Sequence, residues 1–367
     1  MIMRHSHIGT AAWTDLLRML KDFQVSELRG SPKLKTVGNK KYWYDQFRIG
    51  TEVVDRYIGE DSEALRNRLE RIGHLARERK ANERERSRLM RVLRAEGYLM
   101  ADAQTGQVVS AMERAGVFRL GGTLVGTQAF RLYEGELGIR IGFGTSAVTD
   151  DIDIASFERL SLALGDTVED SLSEVFSHLK FAPVPSLDKR RVWRWKQTNR
   201  GTLVEFLTPS FEESERIRDL PALGVSAQSL HHLNFLIAEP IRVPLLYRSG
   251  VLVQIPRPER FAIHKLIVAD RRKADPDRLT ARKDRAQAEM LIEILSDERP
   301  ADLAEAYEAA LTQGPAWRKR ISESLKLMPQ TRKRLDGCQS ALNRDPVSAR
   351  KRDPSGASAA DPSRLRS

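Results

Sequence analysis

The chain has 367 residues, 41% hydrophobic and 30% charged, with a formal net charge of +11 and a single cysteine, Cys338. That length is enough for two domains with cores of their own, and one cysteine excludes an intrachain disulfide framework and fits a reducing compartment. The longest uncharged stretch, 221–238, contains two His, an Asn, a Gln and two Ser, too polar for a membrane span, and no signal-like apolar run opens the chain, so a cytoplasmic location is expected.

The positive charge is unevenly placed. Residues 318–367 hold 13 Lys and Arg against 5 Asp and Glu, so +8 of the +11 sits there and the preceding 317 residues carry +3. The basicity belongs largely to a tail. Such a tail can contact nucleic acid, although solvation is the commoner role of a charge run.

In chain order, Trp13, Leu16, Leu17 and Leu20 predict a short amphipathic helix over 10–22. Aromatic and β-branched residues on either side of Ile49-Gly50 predict a β-hairpin over 41–58. Its aromatics beside Lys40, Lys41, Arg48 and Arg56 are read as the packed face of a small sheet in preference to a base-stacking surface. Asp61-Ser62 then caps a long helix to about Arg94, whose segment 77–88 mixes Arg, Lys and Glu without a large apolar residue. That segment reads as a solvated face laced by i,i+4 pairs, with a phosphate-tracking ridge as the sharper alternative. A helix follows over 108–115. Leu124-Val125 is an apolar strand that breaks at Gly126 and enters another helix, and 169–179 is helical again.

Residues 191–196 alternate apolar and basic side chains and should pair with the strand 203–207 across Asn199-Arg200-Gly201. A second hairpin joins 241–247 to 251–255. Helices are predicted over 258–271, 277–296, 300–313 and 315–327, and the Arg-, Ser-, Ala-, Asp- and Pro-rich remainder is expected to be disordered. The resulting division is an N-terminal helix, hairpin and charged helix (1–100), a catalytic core (101–256), a helical subdomain (257–328) and a basic tail (329–367).

The residues that carry chemistry sit in the core. In an extended Asp151-Ile152-Asp153-Ile154, alternation puts both carboxylates on one face and both isoleucines on the other. Paired carboxylates on an anchored strand suit a hard divalent cation that keeps positions open for water or phosphate. A glycine at 126 permits close backbone approach, and the helix start at Gly126-Thr127 offers N–H groups to a phosphate. Glu205 lies in the middle of the apolar run 203–207, where a carboxylate is expensive unless something positive faces it. Seven scattered histidines show no zinc spacing, and neither a P-loop nor a dinucleotide fingerprint is present. Gly142-Phe143-Gly144 precedes the acidic motif rather than a helix.

This order of elements resembles the polymerase-β-type nucleotidyltransferase superfamily, whose signature is an apolar residue followed by Gly and Gly/Ser, then an acid-apolar-acid triplet and a later third acid. Gly126-Thr127, Asp151-Ile152-Asp153 and Glu205 match those elements, and the likeness runs from about 115 to 296. It looks closest to bacterial nucleotidyltransferase-like proteins of uncharacterised substrate, near the minimal and abortive-infection types. The gap between Gly126 and Asp151 is longer than is usual there, which requires an insertion, and Gly121-Gly122-Thr123 is a rival for the glycine element. The resemblance implies an α/β (α+β) fold with a mixed sheet flanked by helices. It also implies Mg²⁺ (or Mn²⁺) held by Asp151, Asp153 and Glu205, and an NTP bound near Gly126, Thr127 and Lys265. The reaction implied is transfer of a nucleoside monophosphate to an acceptor hydroxyl on RNA (such as tRNA), protein or a small molecule. A second reading is a catalytically idle partner or nucleic-acid-binding module, such as a toxin–antitoxin component. Lys283-Asp284 and Gln287 also match the family's text, as an internal brace or as ligand contacts.

Overall fold

A computed structural model describes residues 3–23, 31–37, 40–49, 52–142, 151–157, 167–168, 171–186, 191–212, 214, 216–274 and 278–344. The chain divides into two compact units, Met1–Arg257 and Pro258–Ser367. The first hundred residues fall within the first of these units.

In the first unit, α1 (His7–Phe23) buries Trp13, Leu16 and Leu20 of the predicted stripe together with Ala12, while Leu17 is half-buried. The predicted hairpin is two strands of a three-stranded antiparallel sheet, β1 (Ser31–Val37), β2 (Lys40–Ile49) and β3 (Glu52–Glu60). β1 escaped the sequence reading because Lys33, Lys35 and Pro32 give it no apolar alternation to recognise. The Trp43 indole N–H donates to Asp61 (2.9 Å), tying this sheet to the start of α2 (Glu63–Ala95), where the Ser62 hydroxyl accepts from the Leu65 amide. Asp102 caps α3 (Ala103–Ala115) by accepting from the Gln104 and Thr105 amides, and Gly116 closes it in the left-handed conformation.

The main sheet is mixed. β4 (Thr123–Val125) pairs antiparallel with β5 (Asp151–Ala155), which pairs parallel with β8 (Leu203–Pro209). The first half of β8 pairs antiparallel with β7 (Arg194–Gln197), which in turn takes β6 (Phe181–Pro183). The second half of β8 pairs with β10 (Val225–Leu230), which carries β9 (Ile217–Leu220) at the edge. Helices α4 (Gly126–Glu136), α5 (Leu172–His178) and α6 (Leu233–Leu236) and the hairpin β11 (Ile241–Leu245)–β12 (Val251–Ile255) complete the unit. The architecture is α+β, as the resemblance implies. One face of the β7–β8 pair is an aromatic core: Trp195 packs edge-on to Phe206 (5.4 Å between centroids), and Phe176 of α5 lies 5.0 Å from Trp195.

The second unit is helical: α7 (Pro258–Arg271), α8 (Arg278–Glu298), α9 (Pro300–Leu311), α10 (Pro315–Lys326) and α11 (Pro329–Arg344). The last helix corrects the expectation that disorder starts at 329. Proline at its first position costs no hydrogen bond, and Thr331, Leu335 and Cys338, spaced by four and three, are buried. The high density of Arg and Lys hid that stripe. The rest of the expected tail, 345–367, lies outside the described residues. No helix among the described residues is long and apolar enough to cross a membrane.

Candidate active site

Alternation anchors β5. Ile152 and Ile154 are fully buried, while Asp151 is exposed and Asp153 half-buried. The register then fixes what faces them. Asp153 stands opposite Val125 on one side and Glu205 on the other, and Glu205 stands opposite Arg194. Directly opposed residues project from the same face of a sheet, so Asp153, Glu205 and Arg194 form a row running across three strands. Asp151, two residues before Asp153, shares that face. The opposite face of the same strands is the aromatic core, so a one-residue slip would bury the acids and expose Phe206 and Trp195.

Glu205 feels its neighbours. Burial pushes its carboxyl above the ordinary glutamate value, Arg194 pulls it back, and the negative charge of Asp151 pushes it up again. The Arg194 guanidinium donates to Glu205 at 3.4 Å and stacks 4.2 Å from the centroid of the Trp193 ring. Arg194 supplies the positive charge that an acid in an apolar strand demands. Sequence reasoning did not single it out, although the alternation over 191–196 contained the signal.

Gly126 sits against the acids. Its φ is +65°, and a Cβ added there would lie 2.4 Å from Oδ2 of Asp153. Only glycine lets the backbone approach this carboxylate so closely. The rival Gly122 does another job: its Cβ would strike Val117, at 2.5 Å from Cγ1 and 2.7 Å from the carbonyl oxygen. Thr127 is half-buried in the first turn of α4, and no side chain caps that helix start.

Buried contacts hold α4 in place. The Tyr133 hydroxyl donates to the Pro256 carbonyl (2.9 Å), and Glu134, 4% exposed, accepts from the Leu99 and Ile141 amides at 2.7 and 3.0 Å. The His5 ring nitrogen lies 3.3 Å from the same carboxylate, and burial pushes its pKa down. Glu134 and His5 carry little local sequence signal: Ile141 is seven residues from Glu134, but Leu99 is 35 and His5 129 residues away.

Lys265 belongs to the second unit, where it is nearly buried. Its ammonium donates to Asp284 (2.6 Å) and lies over the Phe261 ring, while Arg272 takes the other Asp284 oxygen at 2.9 Å. Lys265 and Asp284 therefore form an internal brace between α7 and α8. Gln287, one turn beyond Asp284, is fully buried with neither amide atom hydrogen-bonded. Thr149 and Asp150, and most of the segment between α4 and β5, lie outside the described residues.

Among the described residues no three or more His, Cys, Asp or Glu side chains stand close enough to hold an ion together. The donor set on the acid row is nonetheless all carboxylate oxygen, the kind a hard divalent cation takes. The negative charge of Asp151 raises the Glu205 carboxyl, and the missing Cβ at 126 lets the backbone lie against Asp153. The acids suit such an ion in donor chemistry, while among the described residues they are not gathered around one point.

A mixed sheet bearing acids in register beside a glycine-led helix start is the arrangement that the sequence resemblance implies. The chain belongs to the nucleotidyltransferase family: the model of the family described as nucleotidyltransferase matches residues 103–312, more than half of its length. Residues 13–67, which include most of α1 and the three-stranded sheet, match a domain of unknown function. A search among curated proteins finds no match.

Proposed function

We propose that this protein transfers a nucleoside monophosphate from an NTP to an acceptor hydroxyl and releases pyrophosphate. The acceptor oxygen bonds to the α-phosphorus, the bond from that phosphorus to the β-bridging oxygen breaks, and the hydroxyl proton leaves to solvent. Asp151, Asp153 and Glu205 would hold Mg²⁺ or Mn²⁺, which when bound supplies charge neutralisation to the phosphates. The chain's own parts do the positioning. Gly126, which lets the backbone come close, and Thr127 with its hydroxyl in the first turn of α4 would face the phosphates. Ile152 and Ile154 lock β5 so that the carboxylates keep their spacing. Positioning and charge neutralisation are the main sources of catalysis in phosphoryl transfer. The observation that carries this reading is the register pairing of Asp153 with Glu205 beside a glycine that leaves room for nothing larger.

The test is incubation with each labelled NTP in turn, Mg²⁺ or Mn²⁺, and cellular RNA and protein, followed by Asp151→Asn. The substitution keeps the side-chain volume and removes one anionic donor from an exposed position, so the fold survives and label transfer is abolished. Undiminished transfer by the variant would overturn the assignment of the acid row.

A further inference from the structure

The described part of α2 ends in a cationic cleft of about 740 Å³ that the acid row does not involve. Arg84, Ser87, Arg91 and Arg94 line it from one helix, at steps of three, four and three residues, so they share a face. Arg248, from the β11–β12 turn, closes the other side, and the buried Met90 lies at its base. One acid, Glu83, joins the lining, which leaves four guanidinium groups against one carboxylate. All four arginines are exposed, and among the described residues Arg84, Arg91 and Arg94 have no side-chain ion pair or hydrogen bond.

The contrast along the same helix is informative. Arg66 is paired with Asp61 and Arg88 with Glu85, the pattern of a solvated, self-neutralised surface. The cleft arginines lack that neutralisation. Nearby Arg114 donates to the Arg48 carbonyl, and its pKa is lowered by burial and, against the pull of Glu113, by the charge of Arg248. The cleft is thus a place where like charges gather on a well-packed scaffold: Leu89, Met90 and Leu93 are buried beneath them.

We infer that this cleft binds the phosphate backbone of a polynucleotide strand. From Arg84 to Arg94 the helix rises about 15 Å. Successive phosphates of one strand advance about 3.4 Å along a duplex axis and farther in an extended single strand, so that line of charge spans at most about four nucleotides. A single triphosphate, whose phosphorus atoms share bridging oxygens, is too short to meet the whole line. Guanidinium groups also match phosphate oxygens in geometry as well as charge. The inference deepens the transferase reading, on which it rests for its consequence: the acceptor is a nucleic acid. The binding itself requires no catalysis.

The experiment uses the full chain and a fluorescent 12-nucleotide single-stranded RNA, with anisotropy read over a series of salt concentrations. Arg91→Gln/Arg94→Gln removes two phosphate contacts, and Arg318→Gln/Lys319→Gln removes the same charge from an exposed helix of the second unit. The basic tail is identical in both. The cleft variant should weaken binding and flatten the slope of log K against log salt by about 1.4, at roughly 0.7 per phosphate contact, while the control pair moves it far less. Equal effects of the two pairs would overturn the inference, as would competition by inorganic triphosphate or poly-glutamate as strong as by unlabelled RNA. If RNA is bound through the cleft and no NTP labels it, the transferase reading fails while the cleft stands. Transfer to RNA that is indifferent to Arg91 and Arg94 would remove the cleft alone.

Discussion

Substituting Gly126 tests the closest contact of the acid row. Alanine in the left-handed region costs about 1–2 kcal/mol. Gly224 has nearly the same φ, +62°, but a Cβ there would meet nothing within 4 Å. Gly224→Ala therefore reports the conformational cost alone, offset by whatever alanine removes from the entropy of the unfolded chain. That offset is common to both sites and cancels in the comparison. At Gly126 the added Cβ meets Asp153 Oδ2 at 2.4 Å, about 1 Å inside ordinary contact, so the carboxylate or the β4–α4 junction has to move. Gly126→Ala should thus cost the 1–2 kcal/mol of Gly224→Ala plus a steric increment of about 0.5–3 kcal/mol, the range of coupling seen between residues in contact.

The increment is isolated by a cycle with Asp153→Ala. In that background no carboxylate is left to strike, so Gly126→Ala and Gly224→Ala should cost the same. Urea unfolding followed by tryptophan fluorescence is the assay. Trp13, Trp43, Trp193 and Trp195 report the first unit and Trp317 the second. In thermal melts each kcal/mol should appear as about 2–4 °C. A coupling energy of zero, or a Gly126→Ala variant no less stable than Gly224→Ala, would show that the glycine is not there to accommodate Asp153.

Three other outcomes follow from the same structure. Mg²⁺ or Mn²⁺ at 100 times its Kd should stabilise the native state by about 2.7 kcal/mol, as any ligand of the native state must, and Asp153→Asn should lose that gain; an equal gain in the variant would place the ion elsewhere. Lys265→Met should destabilise the second unit by about 3 kcal/mol, the low end for breaking a buried pair because Arg272 stays on Asp284, and a variant that keeps its stability but loses NTP affinity would make Lys265 a ligand rather than a brace. Burial pushes the Asp102 carboxyl up, but hydrogen bonds from Thr105 and Gln104 outweigh it and hold the pKa below the ordinary aspartate value. Its capping contribution, about 1 kcal/mol by Asp102→Ala, should therefore be constant above about pH 4 and vanish as pH falls through the lowered value, and a pH-independent loss would refute the cap.

The sequence revealed most where a local rule applies. Alternation in 151–154 and 203–207 placed the acids on one side of their strands, and the register of β5 with β8 confirms that Asp153 and Glu205 are neighbours. The Ser62 cap and the apolar stripes of the helices were equally local. What was not legible was what depends on distant partners or on charge that hides an apolar stripe. Glu134 meets Leu99 and His5 only through the fold, 35 and 129 residues away. Lys265 reads as an exposed helix lysine until Asp284 and Arg272 are folded against it. Leu335 and Cys338 are too sparse among arginines to announce α11. Arg194 falls between these cases: its strand was predicted, and only the antiparallel pairing with β8 shows that it faces Glu205.

The Arg194–Glu205 pair also bears on the proposed ion, because it would let the acid row be stable without one and still yield Glu205 to one. Both partners keep contact with solvent, with side chains 38% and 22% exposed, and the separation is 3.4 Å. Pairs of that kind contribute about 0–1 kcal/mol, because solvent screens them and ordering a long side chain opposes them. The pair is therefore strong enough to offset part of the repulsion that Asp151 exerts on Glu205, and too weak to compete with a doubly charged ion for the same oxygens. Arg194 also need not become an uncompensated cation when it lets go. Its guanidinium already lies on the Trp193 ring, and that stacking survives the loss of the carboxylate. A fully buried ion pair in the same position would lock Glu205 away from any ligand at a cost of several kcal/mol to open. The half-exposed pair leaves the carboxylate available, which is what a residue that must change partners requires.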